Sequence, residues 1–312
     1  MNLRIAALAA CLSPVAAAAG DLAFITSQNA DMVSVIDLNS ASVVASAPVQ
    51  GAPAPVAYDP AARRAYVIAA DTGMLTVLDE QGSAVAVAPL GEGAFGIAPT
   101  GNGGLFVADW FGARLSRLDR NLQPVWTSPT GAAPAGVAVS ADGALVATAD
   151  RDDDRISIFD AVTGRLLRRI ATAGAHPFAI AFHGGRLWTA DVEGDTVSVI
   201  DPLVGRLVGQ VPTGSRPYGI TFAGGRGFVT NQYASTVTVF DTATLKVLAT
   251  LPCGDFPEGI AALPDGSGVV LAAWESDLVQ IIDAATLSIR AEIEVPSGPR
   301  AFGLFTGRQV PP

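Results

Sequence analysis

Apolar and polar residues alternate along this chain in short runs that are separated by glycine-rich or polar segments. The stretch 218–251 is representative: residues 218–222, 227–230, 237–240 and 247–251 are rich in aliphatic, aromatic and β-branched side chains. Gly224-Gly225 and the polar segment 231–235 separate the first three runs. Alternation over so few residues predicts β-strands, and the glycine pairs predict hairpin turns. No segment has a convincing 3.6-residue apolar period, so the sequence predicts an all-β fold.

The strand pattern repeats seven times, and an aspartate marks the end of the third run in each copy. These aspartates lie 40 to 42 residues apart and are Asp37, Asp79, Asp119, Asp160, Asp201, Asp241 and Asp283. A constant period of this length, with four antiparallel strands in each unit, predicts a seven-bladed β-propeller. We assign the aspartates a structural role: each carboxylate accepts backbone N–H groups one or two residues further on and fixes the turn into the fourth strand.

The two ends of the chain are predicted to close the ring together. The segment that begins at Asp21 has the pattern of a second strand rather than a first. The missing first strand is found at the other end, at residues 299–305. The C-terminal strand is therefore predicted to join the N-terminal blade, which removes two exposed sheet edges.

Three pieces of the sixth copy resemble a known family. They are RPYGI at 216–220, FVTN at 228–231 and TVTVFD at 236–241. These pieces are similar to the bacterial YVTN β-propeller repeat, and the resemblance extends over nearly the whole chain after residue 20. It implies a seven-bladed, usually extracytoplasmic propeller. It implies no single function, because such propellers serve as binding modules, assembly platforms and occasionally enzymes. The chain departs from the pattern where aspartate replaces the asparagine in four copies, at Asp71, Asp109, Asp150 and Asp191.

The first 19 residues have the composition of a secretory signal peptide. Arg4 precedes an apolar stretch that ends in small residues before Asp21, and this stretch is shorter than the roughly 20 residues that span a membrane. We therefore divide the chain into a signal peptide at 1–19 and a single propeller domain at 20–312. The protein is predicted to be periplasmic or secreted, without a transmembrane segment. The alternative is a lipoprotein acylated at Cys11, since LAAC at 8–11 resembles a lipobox.

Composition excludes several classes of partner and site. The net charge is −10, so the chain is expected to repel nucleic acid and anionic membranes. Cys253 is the only thiol after the leader, so no internal disulfide is predicted. The chain has 2 histidines, too few for a three-histidine metal centre. We predict no cofactor, because no phosphate-binding loop, dinucleotide fingerprint, nucleophile elbow or haem-attachment motif is present in a suitable context.

Two sets of loops are predicted to surround one end of the central channel. Interblade loops lead from the fourth strand of one blade to the first strand of the next, and 2–3 loops join the second and third strands of a blade. Both sets contain aromatic, basic and amide residues, a mixture that is typical of a binding site. The predicted ligand- or partner-binding residues are Phe95, Trp110, Arg151, Phe178, Tyr218, Gln232, Tyr233, Trp274, Glu275 and Arg300. The alternative is that the aromatic residues near the axis only plug the channel.

The 2–3 loops are also acidic. They contain twelve of the 29 acidic residues, an asymmetry that favours a cation or a basic partner. The densest run is 150–154, where Asp150, Asp152 and Asp154 are candidate Ca²⁺ ligands because Ca²⁺ prefers several carboxylate and carbonyl oxygens. The alternative is that these aspartates are solvated turn residues that cap their own loops.

The preferred hypothesis is an exported, non-enzymatic propeller, expected to be a monomer. It would bind a small molecule, a peptide or a periplasmic protein on the acidic, aromatic end of its channel. The alternative is a propeller enzyme, such as a lyase or lactone hydrolase, in which His176 is the acid or base and Arg216 and Glu258 assist it. A third possibility, an accessory protein of a periplasmic quinone-cofactor dehydrogenase system, rests on the family resemblance alone.

Overall fold

Seven four-stranded antiparallel sheets form a ring in the computed structural model, which describes residues 20–310. The first strand of each sheet lies beside the central channel, and the fourth, more exposed strand lies at the perimeter. The prediction of an all-β, seven-bladed propeller is confirmed. The predicted signal peptide lies outside the described residues. None of the helices within residues 20–310 is long and apolar enough to cross a membrane.

Strands are numbered in chain order. The first blade contains β1 (Asp21–Ser27), β2 (Met32–Asp37), β3 (Ser42–Pro48) and, from the other end of the chain, β28 (Thr306–Arg308). The second contains β4 (Pro53–Asp59), β5 (Arg64–Ala69), β6 (Met74–Leu78) and β7 (Ala84–Pro89). The third contains β8 (Ala94–Pro99), β9 (Leu105–Asp109), β10 (Arg114–Leu118) and β11 (Pro124–Pro129). The fourth contains β12 (Pro134–Val139), β13 (Leu145–Asp150), β14 (Arg155–Asp160) and β15 (Leu166–Ala171).

The remaining blades follow the same plan. The fifth contains β16 (Pro177–His183), β17 (Arg186–Asp191), β18 (Thr196–Asp201) and β19 (Arg206–Pro212). The sixth contains β20 (Pro217–Ala223), β21 (Arg226–Asn231), β22 (Thr236–Asp241) and β23 (Val247–Pro252). The seventh contains β24 (Pro257–Ala262), β25 (Gly268–Ala273), β26 (Leu278–Asp283) and β27 (Ile289–Glu294). Single turns of 3₁₀ helix occupy four of the 2–3 loops, at Gln28–Ala30, Arg151–Asp153, Gln232–Ala234 and Trp274–Ser276.

The seven repeat aspartates fix the turns between the third and fourth strands, as predicted. Asp160 Oδ1, for example, accepts hydrogen bonds from the backbone N–H groups of Val162 (3.1 Å) and Thr163 (2.8 Å). The other six make the same kind of bond. The bonds reach two to four residues along the chain rather than one or two. The reason is visible at Ala161, whose N–H already donates to the carbonyl of Ala144, the residue before β13.

Glycines in the inner strands allow neighbouring blades to approach closely. A side-chain carbon on Gly96 would lie 2.0 Å from the carbonyl oxygen of Ala135 in the next blade, and one on Gly219 would lie 2.5 Å from that of Glu258. Gly136 and Gly259 are crowded in the same way. These inner-strand glycines are therefore required by packing around the ring rather than by function.

The C-terminal segment closes the ring, but its regular strand is shorter than predicted and begins later. Only β28 pairs with β1 as a strand, whereas residues 299–305 were expected to do so. Residues 299–305 are instead held by separate backbone hydrogen bonds to strands of three blades, including Phe24 N–H to Phe305 O (2.9 Å) and Val56 N–H to Phe302 O (2.8 Å). Ala301 and Gly303 have positive φ angles, which interrupt the extended strand geometry. As a result, this segment brings Phe302 into the centre of the ring.

Candidate functional site

The interblade loops and the 2–3 loops surround the same end of the channel, which we call the mouth. Backbone hydrogen bonds join the two sets within a blade, as from Val192 N–H to His176 O (2.9 Å) and from Trp274 N–H to Phe256 O (3.0 Å). Neighbouring blades are joined by aspartates: Asp154 Oδ1 accepts the N–H of His176, and Asp195 Oδ1 accepts that of Arg216, both at 2.8 Å. The mouth is therefore a continuous hydrogen-bonded rim, which keeps the side chains that it carries in fixed positions.

Four aromatic side chains meet across the channel just below the mouth and form what we call the septum: Phe95, Phe178, Tyr218 and Phe302. Ring centroids are 4.3 Å apart for Phe178 and Tyr218, 5.3 Å for Phe178 and Phe302, and 5.8 Å for Phe95 and Phe178. These separations are those of favourable aromatic pairs. These four side chains therefore plug the channel, which was the alternative interpretation of the aromatic residues. They also form the floor of the mouth.

A buried ion pair lies beside the septum. The guanidinium of Arg300 donates to both oxygens of Glu258, from Nε at 2.5 Å and from Nη2 at 2.8 Å. Gln232 Nε2 donates to Glu258 at 2.6 Å, and Arg300 Nη1 donates to Gln28 Oε1 at 2.6 Å. The side chain of Glu258 is 0% exposed and that of Arg300 is 17% exposed. A bidentate pair with further amide partners is the arrangement that makes a buried carboxylate tolerable.

The surroundings shift the pKa values of these groups in a consistent way. Burial raises the pKa of Glu258, although Arg300 beside it acts in the opposite direction. Burial alone would lower the pKa of Arg300, but the Glu258 carboxylate outweighs it and the pKa is raised. Burial and the charge of Glu258 raise the pKa of the Tyr218 hydroxyl to about 12. Tyr218 is therefore neutral at physiological pH, and Arg300 is charged.

Arginine side chains stack on aromatic rings around the mouth. The guanidinium carbon of Arg300 lies 5.0 Å from the ring centre of Trp274 and 5.0 Å from that of Phe302. Arg216 lies 4.8 Å from the ring centre of Tyr233, and Arg151 lies 5.6 Å from that of Trp110. These separations are within cation–π range.

A cavity of about 300 Å³ opens at the mouth above the septum. The septum residues and Arg300 line it, together with Trp110, Phe111 and Glu92. Phe111, which follows Trp110 in the same 2–3 loop, is 78% exposed. The structure therefore brings five of the predicted binding residues to one cavity: Phe95, Trp110, Phe178, Tyr218 and Arg300. Arg151 and Trp274 contact members of this group, and Gln232 contacts Glu258, the partner of Arg300.

The three candidate catalytic residues do not contact one another as a triad. His176 Nδ1 lies 3.2 Å from Glu193 Oε1, and Arg216 Nη1 lies 3.9 Å from the same oxygen. Glu258 contacts Arg300 and Gln232 instead. Glu193 is thus the carboxylate beside His176. The sequence did not indicate this pair, because nothing in the linear spacing shows which acidic residue lies beside His176.

The remaining predicted residues lie elsewhere on the rim. Tyr233 packs on Phe256 with ring centres 5.5 Å apart, and Phe256 packs on Trp274 at 6.3 Å. Glu275 is exposed in the 2–3 loop of the seventh blade. Phe111, Gln28 and Phe302 were not among the predicted binding residues. Phe111 had a recognisable signal, since it is a second aromatic residue in an exposed loop.

The candidate Ca²⁺ ligands have separate partners. Asp150 is buried and accepts hydroxyl hydrogen bonds from Thr148 (2.6 Å) and Ser157 (2.5 Å). Asp152 pairs with Arg151, and Asp154 binds the N–H of His176. Within residues 20–310, no group of three or more His, Cys, Asp or Glu side chains is arranged to hold a metal ion.

Asp150 and Asp191 are structural acids at equivalent positions of two blades. Asp191 accepts hydroxyl hydrogen bonds from Thr189 (2.7 Å) and Ser198 (2.5 Å). Asn231 takes the same position in the sixth blade, where its Nδ2 donates to Thr238 Oγ1 at 2.9 Å and its Oδ1 accepts the N–H of Gly214 at 3.1 Å. Burial raises the pKa of Asp150 and raises that of Asp191 to about 7. These two carboxylates therefore tie strands and loops together, and they are buried rather than solvated as the alternative interpretation expected.

Replacing Asp191 by Asn is expected to stabilise the protein above pH 7. Burial raises the folded-state pKa of Asp191 to about 7, well above the usual value for an aspartate. Its contribution to stability is therefore complete below the unfolded pKa and is lost as the pH rises through 7. Asp191→Asn should raise the free energy of unfolding by about 1–3 kcal/mol at pH 8 and change it little at pH 4. Urea unfolding at both pH values measures this, with Asp71→Asn as the control, because Asp71 is exposed and lies two residues beyond Ala69, which takes the position of Asp191 in the second blade. Equal effects at the two pH values would contradict it.

Comparison with known proteins supports the fold. The chain aligns with a functionally unknown protein from Desulfotomaculum acetoxidans DSM 771 at a TM-score of 0.76 and 14% identity, over 93% of this chain and 99% of that one. It aligns with streptogramin B lyase at 0.69 and 14% identity, over 79% and 84% of the two chains. It aligns with dihydro-heme d1 dehydrogenase NirN, in complex with DHE, at 0.69 and 15% identity, over 92% and 75%. Identities this low show a shared fold alone.

Sequence comparison assigns no family. No protein-family model matches the chain, and no curated protein matches it. The seven-bladed architecture implied by the YVTN resemblance is thus supported by the structure and by its structural neighbours.

Proposed function

We propose that this chain is an exported, non-catalytic binding protein that holds a small planar ligand in its mouth cavity. The observation that carries the proposal is the composition of that cavity. About 300 Å³ of space is bounded by aromatic rings on its floor and on one wall, and by one arginine and one glutamate, Arg300 and Glu92. This volume is at the lower end of the range for small-molecule sites, which are mostly apolar with a few fixed polar groups. Aromatic surfaces on two sides favour a flat molecule that stacks between them.

The charges at the mouth favour recognition by stacking and hydrogen bonding over neutralisation of a charged ligand. Arg300, Arg151 and Arg216 each have a carboxylate partner, in Glu258, Asp152 and Glu193 respectively. Three of the five N–H donors of the Arg300 guanidinium bind Glu258 and Gln28, and Tyr218 is a further hydrogen-bond partner. A ligand with an acceptor atom at its edge would use the donor that remains.

Removing both mouth tryptophans is expected to abolish ligand binding. Trp110 lines the cavity, and Trp274 stacks on Arg300. Both side chains are partly exposed, so Trp110→Ala with Trp274→Ala should leave the fold intact. Small-molecule fractions of a periplasmic extract should raise the thermal midpoint of the wild type, because a ligand that binds the native state stabilises it, and should not raise that of the double variant.

The matched control is Trp126→Ala, which removes a tryptophan from the outer strand β11, where it packs on Phe106 at 5.8 Å. This variant should respond to the same fractions as the wild type. If the double variant responds as strongly as the wild type does, the mouth is not the binding site. A peptide or protein fraction that is active in place of the small molecules would keep the mouth as the site and change the class of ligand.

One observation favours an enzyme as the second candidate. His176 lies 3.2 Å from Glu193 on the rim, and a histidine beside a carboxylate is a common general acid–base arrangement. This candidate requires turnover that disappears in His176→Ala and persists in His183→Ala, the variant at the other histidine. A folded protein that turns over no lactone or lyase substrate would count against it.

A further inference from the structure

A second cavity lies on the opposite side of the septum from the mouth. It has a volume of about 280 Å³, and we call it the lower channel. Phe95, Phe178, Tyr218 and Phe302 bound both cavities, so the septum separates them. The lower channel extends past Ala181 and Thr221 to His183, which ends strand β16 at the face opposite the mouth.

The walls of the lower channel are mainly aliphatic. Ile97, Ile180, Ile220 and Ile260 line it from four different blades. They also pack in the cores between blades, so the wall is held rigidly. At the lower end, the rings of His183 and Phe222 are stacked with centroids 4.1 Å apart and planes 6° apart. Burial lowers the pKa of His183, so this ring is neutral at physiological pH and adds no charge to the wall.

Leu304 is the unusual member of the wall. It is 60% exposed although it lines a cavity inside the ring. Its backbone is fixed, because its carbonyl oxygen accepts the N–H of Tyr58 at 2.7 Å. Gly303 beside it has a φ of 117°, and a side-chain carbon there would lie 2.5 Å from Val56 O. Residues 299–308, which we call the closing segment, therefore hold an exposed leucine at this cavity. A bound apolar molecule would cover it.

We propose that the lower channel is a second binding site, independent of the mouth, for a small uncharged and mainly apolar molecule. The volume sets the size of the occupant: an engineered apolar cavity of about 150 Å³ takes up benzene, so this one has room for about two fused rings or a short alkyl chain. Charged molecules are disfavoured because none of the residues 20–310 that line the lower channel is charged and burial of an unpaired charge is costly. The septum closes the upper end, which excludes a threaded polypeptide.

The proposal is tested with 1-aminonaphthalene, an uncharged two-ring probe whose fluorescence shifts to shorter wavelength in apolar surroundings. The wild type should bind it saturably with one molecule per chain. Leu304→Lys places an ammonium group at the cavity and should weaken binding by about tenfold or more. Leu304 is already largely exposed, so this variant should fold, and circular dichroism and thermal unfolding verify that it does.

Two matched variants separate the lower channel from other apolar surfaces. Leu203→Lys makes the same substitution at a leucine that is 74% exposed in the turn between β18 and β19, and it should bind the probe as the wild type does. Trp110→Ala with Trp274→Ala alters only the mouth and should also bind normally. Absence of saturable binding would overturn the proposal. Binding that survives Leu304→Lys but is lost in the tryptophan variant would overturn it as well, since the probe would then be in the mouth.

Discussion

A chain that ends at residue 298 is expected to lose its cooperative unfolding transition. Such a truncation removes β28, which pairs with β1, and Phe305, which is 0% exposed. It also removes the backbone bonds of residues 300–305 to β1, β4 and β24, such as Gly259 N–H to Arg300 O at 3.0 Å. The first blade is left with three strands and an unpaired inner edge. Because the closing segment binds strands of the first, second and seventh blades, its loss opens the ring.

Urea unfolding followed by tryptophan fluorescence and circular dichroism measures this loss. The truncated chain should unfold over a broad range without a shared midpoint, and should expose strand edges that promote aggregation. Phe305→Ala is a milder change in the same segment. It should lower the free energy of unfolding by about 3–5 kcal/mol while retaining a single transition. A truncated chain with the midpoint and slope of the full chain would show that ring closure is not required for stability.

Removing Arg300 alone is expected to destabilise the protein by about 3–5 kcal/mol at neutral pH, because it leaves Glu258 charged, buried and unpaired. Glu258→Ala should cost a similar amount, since Arg300 then loses the partner of two hydrogen bonds. Replacing both, as Glu258→Gln with Arg300→Met, should cost less than either single change to alanine, because no unpaired charge remains. Denaturant unfolding of the four proteins measures the pattern.

The effect of pH distinguishes an unpaired carboxylate from lost packing. Burial raises the pKa of Glu258 even in the presence of Arg300, and the pKa should rise further in Arg300→Ala. A raised folded-state pKa means that stability is gained as the pH falls through it. The deficit of Arg300→Ala should therefore shrink between pH 7 and pH 5. A deficit that is independent of pH would assign the loss to the stacking of Arg300 on Trp274 and Phe302.

The architecture was predictable because its determinants are local and repeated. Each repeat aspartate binds backbone groups within four residues of itself, so its physical role is contained in one copy of the repeat. Ring closure by the C-terminal end was predicted, but the backbone path of the closing segment was not. Its path depends on contacts with β1, β4 and β24 at once, and only the folded ring supplies those three neighbours.

The candidate site was predictable as a set of positions but not as a set of contacts. Glu258 and Arg300 were noticed separately, although opposite charges at similar loop positions in adjacent copies were a signal for a pair. His176 was grouped with Glu258, yet it lies beside Glu193, because side-chain direction at the rim depends on the left-handed loop residues and their capping aspartates. The lower channel had no sequence signature, since its wall residues also serve the cores between blades.

The central claim, that the mouth holds a small ligand, is tested most directly by native mass spectrometry of protein purified gently from its native host. The account predicts a non-covalent adduct of small-molecule mass on the wild type that is absent from Trp110→Ala with Trp274→Ala. An adduct that survives in that variant and disappears in Leu304→Lys would place the ligand in the lower channel and contradict the claim. A wild type that has only its polypeptide mass, and that gains no mass on incubation with the small molecules of a periplasmic extract, would contradict it as well.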